Sequence, residues 1–145
     1  MLKFISIDPG KYKCGLVFAE ISEQKVYKAI VLESKILENF VKNLNSFEDI
    51  SKIIIGNGTS SSEIKKKLDF LKQEIITFEE KNSTYRAKER YFELFPISGL
   101  KFLIPREIFI LNKNLDAISA LIILEDYCNI KFTLDQNLDF KTWLK

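Results

Sequence analysis

Apolar and polar positions divide this chain into short segments. Residues 4–8, Phe-Ile-Ser-Ile-Asp, form a brief apolar run closed by Pro9-Gly10, which predicts a strand and a turn. Residues 14–20 predict a second strand and residues 26–32 a third, rich in β-branched side chains. The short connections between them point to an antiparallel meander. Ile36, Phe40, Val41 and Leu44 then recur with helical spacing. Residues 52–56, Lys-Ile-Ile-Ile-Gly, are a solid apolar run and predict a strand buried on both faces. Asn57-Gly58-Thr59-Ser60-Ser61-Ser62 is a turn handing over to a helix. Ile64, Leu68 and Leu71 give that helix its inner stripe, with Lys65, Lys66 and Lys67 outside.

Residues 74–78 predict a fifth strand running into Glu79-Glu80. Ser83-Thr84 can cap a helix to about Leu94, packed through Ala87, Tyr91 and Leu94. Pro96, Gly99 and Pro105 make residues 95–112 mostly loop. Asn114 can cap a last helix from Leu115 to about Cys128, apolar nearly all round and so deeply packed. Residues 129–145 read as an irregular tail. The expectation is a single α/β domain over residues 1–145. Its five-stranded mixed sheet has three antiparallel strands, then alternates helix and strand, with helices on both faces.

Composition narrows the chemistry. The chain has 145 residues, 46% hydrophobic and 29% charged, enough for one packed domain. The formal charge is only +2, so any basic footprint must be local. There is no histidine, which removes Ser/His/Asp and Cys/His catalysis and His metal ligands. Two cysteines, Cys14 and Cys128, cannot make a four-ligand zinc site. The N-terminus is not patterned as a signal peptide, because Asp8 ends its apolar run too early. The longest apolar run, near residues 120–124, is far below a membrane span. The expectation is a cytoplasmic chain without membrane contact, with monomer and homodimer both open. Its chemistry must rest on carboxylates, Lys, Tyr, Ser/Thr or a hard metal.

The acids at element ends stand out. Asp8 closes the first strand, Glu79 and Glu80 follow the fifth, and Asp116 lies in the first turn of the last helix. Strand ends gather at one edge of such a sheet, and ligand sites form there. If the first and fifth strands are neighbours, Asp8 faces one of the two glutamates. Three carboxylates so placed repel unless a hard cation joins them, and Mg²⁺ or Mn²⁺ prefers such oxygen donors. Two such ions about 4 Å apart can clamp the attacking and leaving oxygens of a phosphodiester displacement. Each acid alone also has an ordinary explanation: a turn residue, a solvated pair, a favourable charge at a helix N-terminus.

Ile5-Ser6-Ile7-Asp8-Pro9-Gly10, followed by Gly15-Leu16-Val17, resembles the opening of the YqgF-like and RuvC-like branch of the RNase H superfamily. Gly56-Asn57-Gly58-Thr59 resembles a loop of the RNase H-like domain in Tex-type RNA-binding proteins. Glu79-Glu80-Lys81-Asn82-Ser83-Thr84 is similar to the YqgF pattern Asp-Glu-Arg-x-Thr-Thr, and Asp116-Ala117-Ile118-Ser119-Ala120 to the final helix motif Asp-Ala-x-Ala-Ala. The resemblance implies a divalent-metal phosphodiesterase leaving 5′-phosphate and 3′-hydroxyl ends. Asp8 would bridge two Mg²⁺ or Mn²⁺ ions, Glu80 (Glu79 as alternate) and Asp116 completing the site. In the YqgF branch the implied role is maturation of the 16S rRNA 5′ end; in the RuvC branch it is resolution of four-way DNA junctions. Resolvases carry a further acid three residues before the last one, where this chain has Lys113, which leans toward the YqgF pattern.

Candidate nucleic-acid contacts, with RNA ahead of DNA, are Lys11 and Lys13 in the first turn and Thr59 and Ser60 at a helix start. Lys81 follows the glutamates, and Arg86 and Arg90 share one helix face at i, i+4. Two other readings compete: a catalytically weak RNase H-like scaffold that binds nucleic acid, and an ATP-binding domain of the actin and sugar-kinase type. The latter needs two such domains, and this chain has room for one.

Overall fold

The computed structural model describes residues 1–80, 83–105, 115–138 and 143–144. Lys81, Lys113 and Asn114, singled out above, lie outside them. Three strands form the antiparallel meander: β1 (Lys3–Asp8), β2 (Lys13–Glu20) and β3 (Lys25–Glu33). After α1 (Leu37–Phe47), β4 (Ile50–Gly56) pairs parallel to β1. After α2 (Ser61–Leu68), β5 (Glu74–Phe78) pairs parallel to β4. Helices α3 (Ser83–Leu94) and α4 (Asp116–Cys128) complete the main body. The segment expected to be irregular contributes two short strands, β6 (Thr133–Leu134) and β7 (Trp143–Leu144), both parallel to β3. The sheet order is β5-β4-β1-β2-β3-β6, with β7 also on β3.

Alternation along each strand builds two cores. Ile5, Ile7, Leu16, Ile53 and Ile55 face α1 and α2, which supply Leu37, Val41, Ile64 and Leu68. Phe4, Val17, Val31 and Ile54 face α4, with Phe132 closing the far side. Helices therefore cover both faces, as the order of elements implied.

Helix α4 is buried without a break from Ala117 to Glu125. A helix can be apolar all round only if something covers its back. Here α3 does so, packing Ala87 and Tyr91 against Ile118 and Ile122. Asn129 ends α4 in the left-handed conformation, with φ 54°, and Ile130 N–H donates back to the Glu125 carbonyl.

Candidate active site

The C-terminal ends of β1, β4 and β5 lie at one sheet edge, because all three run the same way. Asp8 closes β1. It is not opposite a β5 residue, since β4 lies between the two strands. The condition that the first and fifth strands be neighbours is therefore not met. The intervening strand ends at Gly56, which has no side chain to fill the gap. A Cβ there would meet Ile123 Cδ1 at 2.6 Å and Pro9 Cδ at 3.3 Å.

Asp116 arrives from the other direction. The N-terminus of α4 rests directly on β2 at Gly15, where a Cβ would lie 1.8 Å from the Asp116 carbonyl oxygen. Gly15 pairs with Asp8 across the β1–β2 ladder. The glycine leading into the second strand is thus the seat that brings Asp116 to Asp8.

The glutamates separate by their exposure. Phe78 packs on the α4 side of the sheet, and extended chain beyond it alternates. Glu79 is exposed, whereas Glu80 is half-buried with its Oε2 atom inside. A two-residue period counted from Phe78 was the signal in the sequence that distinguishes them.

Electrostatics joins the three acids. Burial first, then the charge of Asp116, then that of Glu80, pushes the Asp8 carboxyl up to about 7. Lys13 Nζ stands 3.5 Å from Asp116 Oδ2. Among the described residues, no three acidic or cysteine side chains are gathered closely enough to hold a metal ion as they stand. The donor set nevertheless suits a hard cation: carboxylate oxygens, with Asp116 and Glu80 near enough to Asp8 to raise its proton affinity. Asp8 and Asp116 line a cleft of about 280 Å³ with Lys11, Tyr12 and Lys13.

The other expected contacts divide. Lys11 and Lys13 are exposed beside the acids. Thr59 is exposed and Ser60 half-exposed, on a loop whose Gly58 lies against Pro9. Ser60 precedes α2 without a side-chain capping bond, and Ser61 Oγ instead donates to the Gly58 carbonyl at 2.8 Å.

Arg86 and Arg90 do share a face, but it is turned toward α4. Arg90 is buried, donating from Nε and Nη2 to Glu125 and from Nη2 to the Phe132 carbonyl. It is a structural tie and not part of a surface for phosphates. Arg86 grips Asp126 through two bonds of 2.5 and 2.6 Å. Those bonds hold its guanidinium more firmly charged, with Glu80 adding to the effect. Arg86 therefore links α4 to the edge of the acidic site.

The sequence reading passed over Lys35 and Tyr12. Lys13 pairs with Glu33 across the β2–β3 ladder, which brings the end of β3 to the same turn. There Lys11, Tyr12, Lys13 and Lys35 line a second cleft of about 360 Å³. An aromatic between two lysines in a turn, with no apolar neighbour to pack on, was the available signal. Among the described residues, no helix is long and apolar enough to cross a membrane.

No family model matches the sequence, and no curated protein matches it at a significant level. Solved structures do match. T. thermophilus RuvC in complex with a Holliday junction substrate shares 9% identity, over 89% of this chain and 96% of that one, with a TM-score of 0.51. The human cytomegalovirus terminase nuclease domain, Mn-soaked and inhibitor-bound, shares 9% identity over 86% and 81%, with a TM-score of 0.47. The fold of this chain is RNase H-like.

Proposed function

We propose that this chain is a divalent-metal-dependent nuclease whose site is Asp8, Glu80 and Asp116. The observation that carries the reading is the Asp8 carboxyl, held near 7 by burial and by two other acids at one sheet edge. A fold gains nothing in stability from crowding three like charges, so the arrangement points to a cationic ligand. The fold likeness to RuvC, bound there to a Holliday junction, supports nucleic acid as the substrate class.

Asp8 would hold Mg²⁺ or Mn²⁺ from the centre, with Glu80 and Asp116 on either side. Metal ions in such a site lower the pKa of a water and stabilise the leaving oxygen. The chain's own part is to bind and orient. Asp8 must give up its proton to serve as an oxygen donor, so proton and metal compete for it. Lys13, 3.5 Å from Asp116, is placed to exchange that carboxylate for a substrate phosphate. Gly15 fixes the approach of α4, so Asp116 is carried on a rigid element.

Processing of ribosomal RNA precursors, of the YqgF type, is the substrate reading we favour, on the Glu79-Glu80 motif and Glu80's half-buried position. A catalytically weak nucleic-acid scaffold is the second reading. What favours it is the Lys13–Asp116 pair and the lack of a ready-gathered metal group among the described residues.

Cleavage is tested with Mg²⁺ or Mn²⁺ on structured precursor RNA, single-stranded RNA and a four-way DNA junction, parent against Asp8→Asn. Metal-dependent cutting lost in the variant supports the nuclease, and the preferred substrate separates RNA processing from junction resolution. Binding without cutting of any substrate overturns the enzyme in favour of the scaffold.

A further inference from the structure

The β1–β2 turn carries an aromatic ring that the fold does not need. Tyr12 is 76% exposed. It does not sit on a loose loop. Ser34 N–H donates to the Tyr12 carbonyl at 2.8 Å, and Ser34 Oγ donates to the Gly10 carbonyl at 2.7 Å. Cys14 Sγ lies 3.2 Å from the same Ser34 oxygen. The backbone on both sides of Tyr12 is thus pinned to the end of β3. Lys11 Nζ lies over the ring, 5.2 Å from its centroid, and the ring's high exposure leaves area open to solvent.

The charges around this ring are ordered. Lys11, Tyr12 and Lys13 line both clefts, so the turn borders the two. The first cleft also holds Lys35, which meets Glu33 at 2.7 Å. The second holds Asp8 and Asp116. A phosphodiester strand fits that order: cations and an aromatic at the turn, the acids in the second cleft.

We propose that Tyr12, flanked by Lys11 and Lys35, is a stacking platform for an unpaired nucleotide next to the acidic site. Its base lies on the open part of the ring, and the adjoining phosphates meet Lys11 and Lys35. Stacking on an exposed ring needs a free base face, which a fully paired duplex withholds along its length. The substrate class is therefore single-stranded nucleic acid, or a duplex with unpaired nucleotides at the cut. This inference rests on the nuclease reading of the neighbouring acids.

The test is fluorescence anisotropy with a labelled single-stranded RNA and a blunt duplex, in an Asp8→Asn background so that bound strands stay whole. Tyr12→Ala is expected to weaken single-strand binding about ten-fold and duplex binding by less than about two-fold. Tyr12→Phe is expected to bind as the background does, since stacking needs the ring and not the hydroxyl. Lys11→Ala and Lys35→Ala should each lower the salt dependence of binding by about one charge. Single-strand binding unchanged in Tyr12→Ala, or lost equally for both ligands, overturns the platform.

Cleavage by the parent chain separates this failure from failure of the nuclease reading. Cutting with no dependence on Tyr12 sinks the platform alone. Tyr12-dependent binding without cutting sinks the nuclease and keeps the platform. Neither binding nor cutting sinks both.

Discussion

The two ends of helix α4 treat their carboxylates in opposite ways. Near its C-terminus, Glu125 is buried but accepts from Arg90 and from the Phe132 N–H, while Asp126 takes both arms of Arg86. At its N-terminus, Asp116 meets the exposed Lys13 at 3.5 Å yet also stands against Asp8, whose carboxyl is pushed up to about 7. One helix thus carries acids matched to cations at one end and acids set against each other at the other. The matched end holds α3, α4 and the start of the tail together. Like charges set together at the other end oppose folding, a cost that the proposed metal would offset. Glu20 shows that a buried acid in this fold need not be strained. Burial pushes its carboxyl up, yet N–H donors from Glu23, Ser22 and Leu2 outweigh that and hold it below the usual value.

The sharpest way to break this contrast is at Asp8. With divalent cations present, Asp8→Asn is expected to cut at less than about one-thousandth of the parent rate. Loss of metal-assisted stabilisation is worth several kcal/mol, at about 1.4 kcal/mol per tenfold. Parent-like cleavage by that variant would remove the acids from the mechanism. At the matched end, Arg90→Ala leaves Glu125 buried without its main partner. It should cost about 3 kcal/mol in chemical denaturation, whereas an Arg90→Met, Glu125→Leu double variant should recover most of it. A small loss in the single variant would mean that Arg90 does not hold the helices together.

Gly15→Ala probes the seat of α4 on β2. The added methyl meets the Asp116 carbonyl, so α4 must shift. We expect a loss of about 2 kcal/mol, typical of overpacking, and a larger loss of cleavage than of stability. Equal retention of both would show that α4 is not seated there.

A pH dependence in the chelated protein isolates the acidic end. Asp8 binds its proton more tightly folded than unfolded, with a value raised from 3.8 to about 7. Its contribution is therefore whole below about pH 4 and is lost as the pH rises through 7. Parent and Asp8→Asn melting temperatures should diverge over that window, with the parent lower at pH 8. Mg²⁺ or Mn²⁺ should close the gap. A gap that does not change with pH would deny the crowding of the three acids.

Much of this was legible along the chain. The meander, the buried fourth strand and the all-round apolar last helix follow from local periodicity, because strand and helix repeats are properties of neighbouring residues. So does the stripe of Ile64 and Leu68 and the solvated lysines beside it. Asp8, Glu80 and Asp116 were visible as acids at element ends. Charged residues at such ends are common, however, and the sequence left Glu79 and Glu80 both open.

What only the tertiary structure decided depends on pairs far apart in sequence. Placing β4 between β1 and β5 is a choice of sheet order, which no local pattern encodes. Whether the arginines of α3 meet solvent or α4 depends on a partner 40 residues beyond Arg86 and 35 beyond Arg90. The short strand β6 exists because Thr133 and Leu134 find the edge of β3, as two residues have too little periodicity of their own to announce a strand. The sequence determined the elements and the acids at their ends. Packing decided which acids crowd together and which arginines are taken up neutralising the others, because desolvation and charge pairing depend on distance in space.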